Sequence, residues 1–507
     1  MTTTESLEKL HLTDREYLHL EHAAAALRWD QETYLPPEGV AERAEQLALL
    51  EGIAHERLIT GDTGSLLESL GSVSANPRGD ESLDPLERDF LRIMRRRYDR
   101  AVKLPADFVR DAARAEGLSQ AAWAQARRND DFASFVPHLK TMIGFSRKKA
   151  EYWGFGKETL YDGLLDIYEP GMGAQEIGSL FTSLRERLVS LLKKIQLCAL
   201  PNTSFLKQDF PVAGQSAFMQ NLLDYIGFNR GRGRLDTSAH PFTTTLGSDD
   251  IRITTRYFQD NPLSGIFSVI HEAGHAFYEM GFPAELRATC LAEGASMAMH
   301  ESQSRFWENI IGRSLTFWEG FFPSLQNMFP QQLGQIKTEA FYRAVNEVKP
   351  SLIRVDADEV SYSLHIILRF ELEKQLIAGE LEPEKLPDIW RKYTREYLGL
   401  ESETDKDGVL QDIHWSTGSF GYFPSYALGN LYGLQFSQKL KSDIPDLENL
   451  ISRGNFGPLH TWLADTVYRW GCRLEPAELL KKVTGDRIKV NPFLDYIEGK
   501  YRKLYSI

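Results

Sequence analysis

Apolar residues recur every three or four positions through most of the chain, which is the spacing of amphipathic helices. After a break at Glu169–Gly173, for example, Leu180, Leu184, Leu188 and Leu191 follow at this spacing. The sequence contains no internal repeat and no change of composition sharp enough to mark a domain boundary. The pattern predicts a mainly α protein.

Residues 229–260 have a different pattern, in which β-branched residues alternate with others as in a strand. Phe242–Thr245 and Ile251–Phe258 predict a small antiparallel hairpin that turns at 246–250. An exposed edge of this hairpin could hold an extended peptide by main-chain hydrogen bonds, or the hairpin could be a structural flap. The Gly-rich run at 229–234 lacks the Lys-Ser/Thr of a phosphate loop, so a turn is predicted.

The composition predicts a globular protein without nucleic-acid or membrane partners. Of 507 residues, 42% are hydrophobic and 25% are charged, and the net charge of −13 disfavours polyanionic partners. Cys198, Cys290 and Cys472 are too few and too scattered for a disulfide framework or a thiolate zinc site. The chain begins without an apolar signal core, and no apolar run is long enough to span a bilayer. These features predict a cytoplasmic protein.

A basic cluster comprises Arg95, Arg96, Arg97 and Arg100. Such a cluster could bind phosphate. Because acidic residues such as Asp99 are interleaved with it, we interpret the cluster as a solvated helix face.

The strongest chemical signal is an H-E-x-x-H sequence, the signature of a zinc metallopeptidase. Pro262 and Gly281 predict the two ends of the helix that carries it. His271 and His275 lie one turn apart on that helix and can hold one ion, while Glu272 lies about 100° round the axis and can act as a base. The alternative interpretation is a pair of core histidines that satisfy each other's hydrogen bonds.

Two histidines leave zinc one protein ligand short. A third histidine in the pattern H-E-x-x-H-x-x-G-x-x-H is excluded, because Tyr278 and Gly281 occupy the later positions. A downstream carboxylate is the remaining option, and Glu301 is favoured because an ionised group in its mainly apolar segment needs a partner of opposite charge. The candidates are Glu279, Glu285, Glu293, Glu301 and Glu308.

Several motifs spread along the chain resemble those of the M32 carboxypeptidases, the thermostable carboxypeptidases typified by Taq carboxypeptidase. The Trp29-Asp30 to Arg43 segment and Glu169-Pro170-Gly171 also resemble the family, although Leu35 stands where a Met is expected. The six clearest matches, in chain order, are His240-Pro241-Phe242 (HPF), Asp250–Thr254 (DxRxT), His271–His275 (HExxH), His300–Gln303 (HES/GQ), Ile353–Asp358 (I/VRxxAD) and Gly408–Trp415 (GxxQDxHW).

The resemblance implies a largely helical, saddle-like homodimer with a deep substrate groove and a small antiparallel sheet near the zinc site, as in neurolysin and angiotensin-converting enzyme. It implies one zinc ion held by His271, His275 and Glu301, with Glu272 as the base and cobalt as a possible substitute. The chain would then be one catalytic domain, 1–507, with lobes at about 1–200 and 201–507 beside the groove.

The remaining roles are expectations from residue type and placement. His414 and Tyr422 resemble the His and Tyr that stabilise the oxyanion in related helical peptidases, although each could be a buried aromatic residue with a satisfied polar tip. A guanidinium suits a substrate α-carboxylate, so Arg354 is favoured for it, followed by Arg252 and Arg256. Each arginine could instead pair with a nearby Asp. The last candidate, His240, is expected to shape the groove wall.

We therefore expect a metallocarboxypeptidase that releases single residues from the free C-termini of peptides with broad specificity. One alternative is an oligopeptidase that cuts internally with the same chemistry. Another is a non-catalytic helical scaffold with a vestigial site.

Overall fold

The protein is mainly helical, as the sequence predicts. The computed structural model describes residues 1–59, 62–154 and 158–507, and 66% of the chain is helical. Among the described residues, no helix is both long enough and apolar enough to cross a membrane. Helices therefore supply nearly all of the framework, and the strands found in these ranges lie in one small sheet beside the predicted metal centre.

Nine helices precede the sheet in the described part of the chain. The first begins with a capping box, in which Thr2 accepts from Glu5 N and the Glu5 side chain accepts from Thr2 N. The helices are α1 (Thr3–Thr33), α2 (Val40–Ile59), α3 (Thr63–Ser69), α4 (Pro85–Val102), α5 (Ala106–Asn129), α6 (Phe132–Trp153), α7 (Leu160–Tyr168), α8 (Ala174–Ile195) and α9 (Val212–Tyr225).

The sheet contains β1 (Gly233–Thr237), β2 (Thr243–Gly247) and β3 (Asp250–Thr255) in the order β1-β3-β2. The antiparallel pairing of β2 with β3 confirms the predicted hairpin. The first strand was not predicted, and it pairs in parallel with β3, so the sheet is mixed rather than purely antiparallel. It begins at Gly233, within the run 229–234 that was predicted as a turn, and local patterning does not reveal its pairing with β3.

Twelve further helices follow the sheet in the described chain. The first of them begins at Pro262, with Asn261 as its cap, and Gly281 follows its last residue, as predicted. After Arg305 the second helix continues as a π-helical stretch, Phe306–Gly312. The helices are α10 (Pro262–Met280), α11 (Met297–Arg305), α12 (Leu315–Met328), α13 (Pro330–Leu333), α14 (Thr338–Val345), α15 (Tyr362–Ala378), α16 (Leu386–Leu398), α17 (Pro424–Asp443), α18 (Leu447–Ser452), α19 (Gly457–Thr466), α20 (Pro476–Thr484) and α21 (Asn491–Tyr505).

The buried apolar side chains form two clusters. The larger cluster extends from α5 to the last helix and includes the apolar face of α10. The smaller one lies among α1 to α4 and is closed by Leu286, Cys290, Leu291 and Cys472 from later in the chain. The first four helices thus have a core of their own that rests on later segments of the chain.

Helix α11 lies between α10 and α17 at backbone contact. A Cβ added to Gly274 of α10 would lie 2.7 Å from the carbonyl oxygen of Gln303. On the other side, a Cβ added to Gly433 of α17 would lie 2.9 Å from the carbonyl oxygen of Ser302. Side chains at these glycines would push the helices apart, so the glycines set the distance between them.

We expect Gly274→Ala to destabilise the protein by about 1–3 kcal/mol, because the added methyl group meets rigid backbone rather than a movable side chain. Gly144→Ala is the matched control, since Gly144 lies within α6 and a Cβ there has nothing within 4 Å. The control should be neutral or stabilising by up to about 1 kcal/mol. Urea unfolding of both variants measures the difference, and equal midpoints would contradict the proposed helix contact.

Candidate metal centre

Helices α10 and α11 bring three candidate ligands together. The ligand atoms of His271, His275 and Glu301 all lie within 4.8 Å of one another, the only such group of three or more His, Cys, Asp or Glu in the described chain. Glu301 Oε2 lies 3.7 Å from His271 Nε2 and 3.4 Å from His275 Nε2. Tetrahedral zinc with bonds of about 2.05 Å places its ligand atoms about 3.3 Å apart. The three side chains therefore fit one zinc-sized ion.

Each histidine is oriented by a partner on its other ring nitrogen. His271 Nδ1 lies 2.9 Å from Glu308 Oε2. His275 Nδ1 lies 2.6 Å from His300 Nδ1, and His300 Nε2 lies 2.8 Å from Glu279 Oε1. Glu308 can only accept from His271 Nδ1, which leaves His271 Nε2 free of hydrogen, as a metal requires. A hydrogen on His275 Nδ1, donated to His300, leaves Nε2 of His275 free in the same way.

The sequence interpretation did not identify these orienting residues. Glu308 and Glu279 were considered only as possible metal ligands, and His300 only as part of a motif. One signal was available, because Glu301, Arg305 and Glu308 are spaced i, i+4, i+7 and so share one helix face. The contact of His300 with His275 joins two helices and has no such local signal.

Arg305 holds the third candidate ligand in its ionised form. Burial alone would raise the pKa of Glu301, but Arg305 and the two histidines hold that pKa well below its usual value. Arg305 Nε donates to Glu301 Oε1 at 2.7 Å, and Arg305 Nη1 lies 3.2 Å from Glu308 Oε2. The carboxylate that faces the histidines is therefore charged and has one oxygen free of the arginine.

Glu272 has a different environment, although it is also buried. Burial raises its pKa above the usual value, and the charge of Glu301 adds to this, whereas His271 and Thr243 oppose it. Thr243 Oγ1 of β2 donates to Glu272 Oε2 at 2.6 Å. The strand thus fixes the carboxylate beside the pair of histidines, and the pKa of that carboxylate lies above its usual value.

His414 and Tyr422 lie together in a half-buried aromatic cluster. Their ring centres are 5.4 Å apart, and His414 Nε2 lies 3.3 Å from the hydroxyl of Tyr426, a residue that the sequence did not suggest. Burial lowers the pKa of His414 to about 4, so its imidazole is neutral at neutral pH. Burial and then the charge of Glu301 raise the pKa of Tyr422 to about 12. The negative charge of Glu301 is therefore close enough to act on the Tyr422 hydroxyl.

Glu373 anchors the irregular segment that carries this cluster. Its Oε2 accepts from Tyr161 OH at 2.6 Å and from Gly421 N at 3.0 Å. Its Oε1 accepts from Trp415 Nε1 at 2.8 Å. The two donors, Trp415 and Gly421, lie directly after His414 and directly before Tyr422, so one buried carboxylate anchors the segment that joins both candidate side chains.

Arg354 is buried and shares a carboxylate with a second arginine. Arg354 Nη2 lies 2.9 Å from Asp412 Oδ1, and Arg369 Nε lies 2.7 Å from Asp412 Oδ2. Arg354 Nη1 lies 3.5 Å from the hydroxyl of Tyr362, whose ring also lies under Arg305. Two guanidinium groups on one carboxylate leave an excess positive charge beside the aromatic cluster.

The other predicted contacts to substrate lie on the sheet. Arg252 is paired with Asp250 at 2.8 Å and lies over the ring of Trp29 at 4.3 Å, so the pairing with an Asp is the arrangement observed. Arg256 lies over the ring of Phe258. His240 is exposed in the loop between β1 and β2, and within the described residues no contact joins it to the three candidate ligands.

Comparison with known proteins identifies the same family that the sequence motifs resemble. The family model described as carboxypeptidase Taq (M32) metallopeptidase matches residues 9–501. Thermostable carboxypeptidase 1 of Thermus thermophilus is 42% identical, and the match covers 100% of both chains. Carboxypeptidase 1 of Bacillus subtilis is 36% identical, over 98% of this chain and 100% of the relative. The crystal structure of the M32 carboxypeptidase from Deinococcus radiodurans superposes with a TM-score of 0.95 at 38% identity, covering 99% of this chain and 100% of that one. The chain therefore belongs to the carboxypeptidase Taq (M32) family of metallopeptidases.

Proposed function

We propose that this metallocarboxypeptidase uses zinc to remove single residues from the free C-termini of peptides with broad specificity. The observation that supports zinc is the convergence of two Nε2 atoms and one charged carboxylate oxygen at separations suited to tetrahedral coordination. Zinc held there supplies a Lewis acid that polarises the scissile carbonyl and acidifies water. One ion per subunit is proposed, and cobalt, which accepts the same ligands, could replace it.

Glu272 is proposed as the general base. Its carboxylate accepts a proton from the attacking water and then delivers that proton to the leaving amine. The hydrogen bond from Thr243 to Oε2 keeps the carboxylate in a single orientation during both transfers. His414 and Tyr422 are proposed to donate hydrogen bonds to the oxyanion, because the neutral imidazole and the protonated phenol each carry a hydrogen at neutral pH.

Arg354 is proposed to bind the α-carboxylate of the substrate. The pair of arginines on Asp412 carries one more positive than negative charge, which is the charge that a terminal carboxylate needs opposite it. Arg252 and His240 are proposed as weaker contacts along the groove wall, beside β2 and β3. The alternative of internal cleavage needs no such carboxylate site.

We further propose that residues 1–507 act as one catalytic unit, with lobes at about 1–200 and 201–507 beside the groove. A cytoplasmic location is supported by Cys198, Cys290 and Cys472, all of which are free thiols. A homodimer is proposed from the resemblance to M32 enzymes. The proposed partners are peptides with a free C-terminus, and not nucleic acids or membranes.

Glu272→Gln should retain zinc but lose activity by about 10²–10⁴-fold in kcat, because an amide cannot accept the proton. Glu285→Gln removes the same charge at an exposed position and should keep full activity. Metal analysis and peptide hydrolysis of both variants test this. Near-normal turnover of Glu272→Gln would remove Glu272 from the mechanism.

Two variants should lose zinc to different extents. Glu301→Gln replaces a charged ligand with an amide and should leave little metal after dialysis against a weak chelator. Glu308→Gln disturbs only the orientation of His271 and should weaken zinc binding by about 10–100-fold. With Glu285→Gln as the control, full zinc occupancy of Glu301→Gln would refute its assignment as a ligand.

Amidation of the substrate C-terminus should lower kcat/KM by about 100-fold or more, because it removes the charge that Arg354 is proposed to bind. Arg354→Gln should lower the rate on the free peptide and nearly abolish this preference, whereas Arg252→Gln should preserve it. Loss of the preference in Arg252→Gln alone would transfer the role to that residue. Equal rates of wild type on both peptides would instead favour the internal peptidase.

A further inference from the structure

A cavity of about 440 Å³ lies between α4, the end of α7 and the start of α20. Its basic lining comes from one face of α4 and the residue after it: Arg92, Arg95, Arg96, Arg100 and Lys103. Arg97 is on the other side of the helix, where it pairs with Asp14 and Glu293. The prediction of a solvated helix face is therefore wrong for this face of α4, because the arginines line a cleft and make ion pairs across it.

Positive charge exceeds negative charge in this cavity. Five cations line it together with four carboxylates, which are Asp99, Asp162, Asp166 and Glu475. Asp162 also accepts from backbone N–H groups, including Ala174 N at 2.7 Å, and these bonds leave its negative charge in place. An excess of about one positive charge remains, in a chain whose net charge is −13.

Several donors in the cavity have spare bonding capacity. Arg100 Nη2 pairs with Asp166 at 2.7 Å, and Lys103 Nζ donates to the carbonyl oxygen of Trp153 at 2.8 Å, so each keeps further N–H groups. Arg92 Nε is buried and has no partner among the described residues. Burial, followed by the charge of Arg96, lowers the pKa of Arg100 to about 10. The cations are thus crowded and incompletely compensated.

We propose that this cavity binds a phosphate-type oxyanion, either free phosphate or the phosphate group of a small metabolite. A phosphate is anionic at neutral pH and would compensate the net positive charge of the lining. Guanidinium forks bind its oxygens bidentately. The cavity volume falls in the range of small-molecule sites, and the ring of Trp153, within 5.9 Å of Arg100, gives it one aromatic wall.

The proposed anion site is separate from the candidate metal centre, since no candidate ligand lines the cavity. Its walls come from the small core of α1 to α4 on one side and from α7 and Glu475 on the other. Bound phosphate would therefore hold the first four helices against the rest of the chain. It should raise the thermal stability of the protein in a concentration-dependent way.

Calorimetric titration of the zinc-loaded enzyme with inorganic phosphate, at an ionic strength held constant with chloride, tests the proposal. Wild type should bind one equivalent. Arg100→Gln/Lys103→Gln removes two donors and should bind at least about tenfold more weakly. Arg110→Gln/Lys148→Gln removes the same charge from exposed positions outside the cavity and should bind like wild type.

If the double variant folds poorly, the single variant Lys103→Gln replaces it in the test. Lys103 is exposed, so its substitution should leave folding and peptidase activity intact while phosphate binding becomes weaker. Glycerol phosphate and adenosine monophosphate, titrated in parallel, distinguish free phosphate from a phosphate ester as the preferred ligand. Equal binding by the two double variants would place phosphate elsewhere, for example on the metal, and would overturn the proposal. Absence of binding to wild type, or equally tight binding of an acidic peptide, would do the same.

Discussion

Backbone contact between α10 and α11 is the constraint on which the candidate site depends. The two histidines need only one helix to come together, because they are one turn apart. The third candidate ligand, Glu301, comes from another helix, and close packing brings its carboxylate oxygen within 3.4 Å of His275 Nε2. Gly274, next to His275 in sequence, permits that approach, since any side chain there would meet the backbone of α11.

The buried carboxylates differ in pKa because only some of them have an arginine as partner. Arg305 lies between Glu301 and Glu308 and keeps both ionised, with the pKa of Glu308 lowered to about 2. Glu272 has no arginine partner in the described structure, so burial dominates and its pKa rises. Two environments that shift carboxyl pKa values in opposite directions thus distinguish the candidate ligand from the candidate base.

The sequence predicted the elements that depend on neighbouring residues, and its shared motifs predicted the candidate site residues. Pro262 and Gly281 marked the ends of α10, and alternation marked β2 and β3, because caps and strand periodicity act over a few residues. The convergence of Glu301 on the histidines followed from residue type and resemblance. Neither the parallel pairing of β1 nor the contact of His300 with His275 has a local signal, because each depends on how distant segments pack.

Long-range pairing also explains why the roles of the arginines were hard to read. Arg354 and Asp412 are separated by 58 residues, and nothing in the intervening sequence shows that Arg369 shares the same carboxylate. Likewise, the acidic residues interleaved with the arginines of α4 suggested a solvated face, whereas Asp166 and Glu475 reach them from other helices. A charge pattern along one helix does not reveal what packs against that helix.

The glycine at position 429 gives Glu301 a neighbour without a side chain, and this limits how the coordination sphere can be redesigned. A Cβ at that glycine would lie 2.7 Å from Glu301 Cγ, so the aliphatic arm of the glutamate rests on the bare main chain of α17. An aspartate arm is shorter by one carbon–carbon bond, about 1.5 Å, whereas metal–ligand distances tolerate only about 0.2 Å. Because α11 packs against backbone on both faces, it cannot shift towards the histidines to bring a shorter carboxylate side chain within bonding distance of the ion. An engineer who wants another metal in this protein must therefore change the donor atom while keeping the length of the arm.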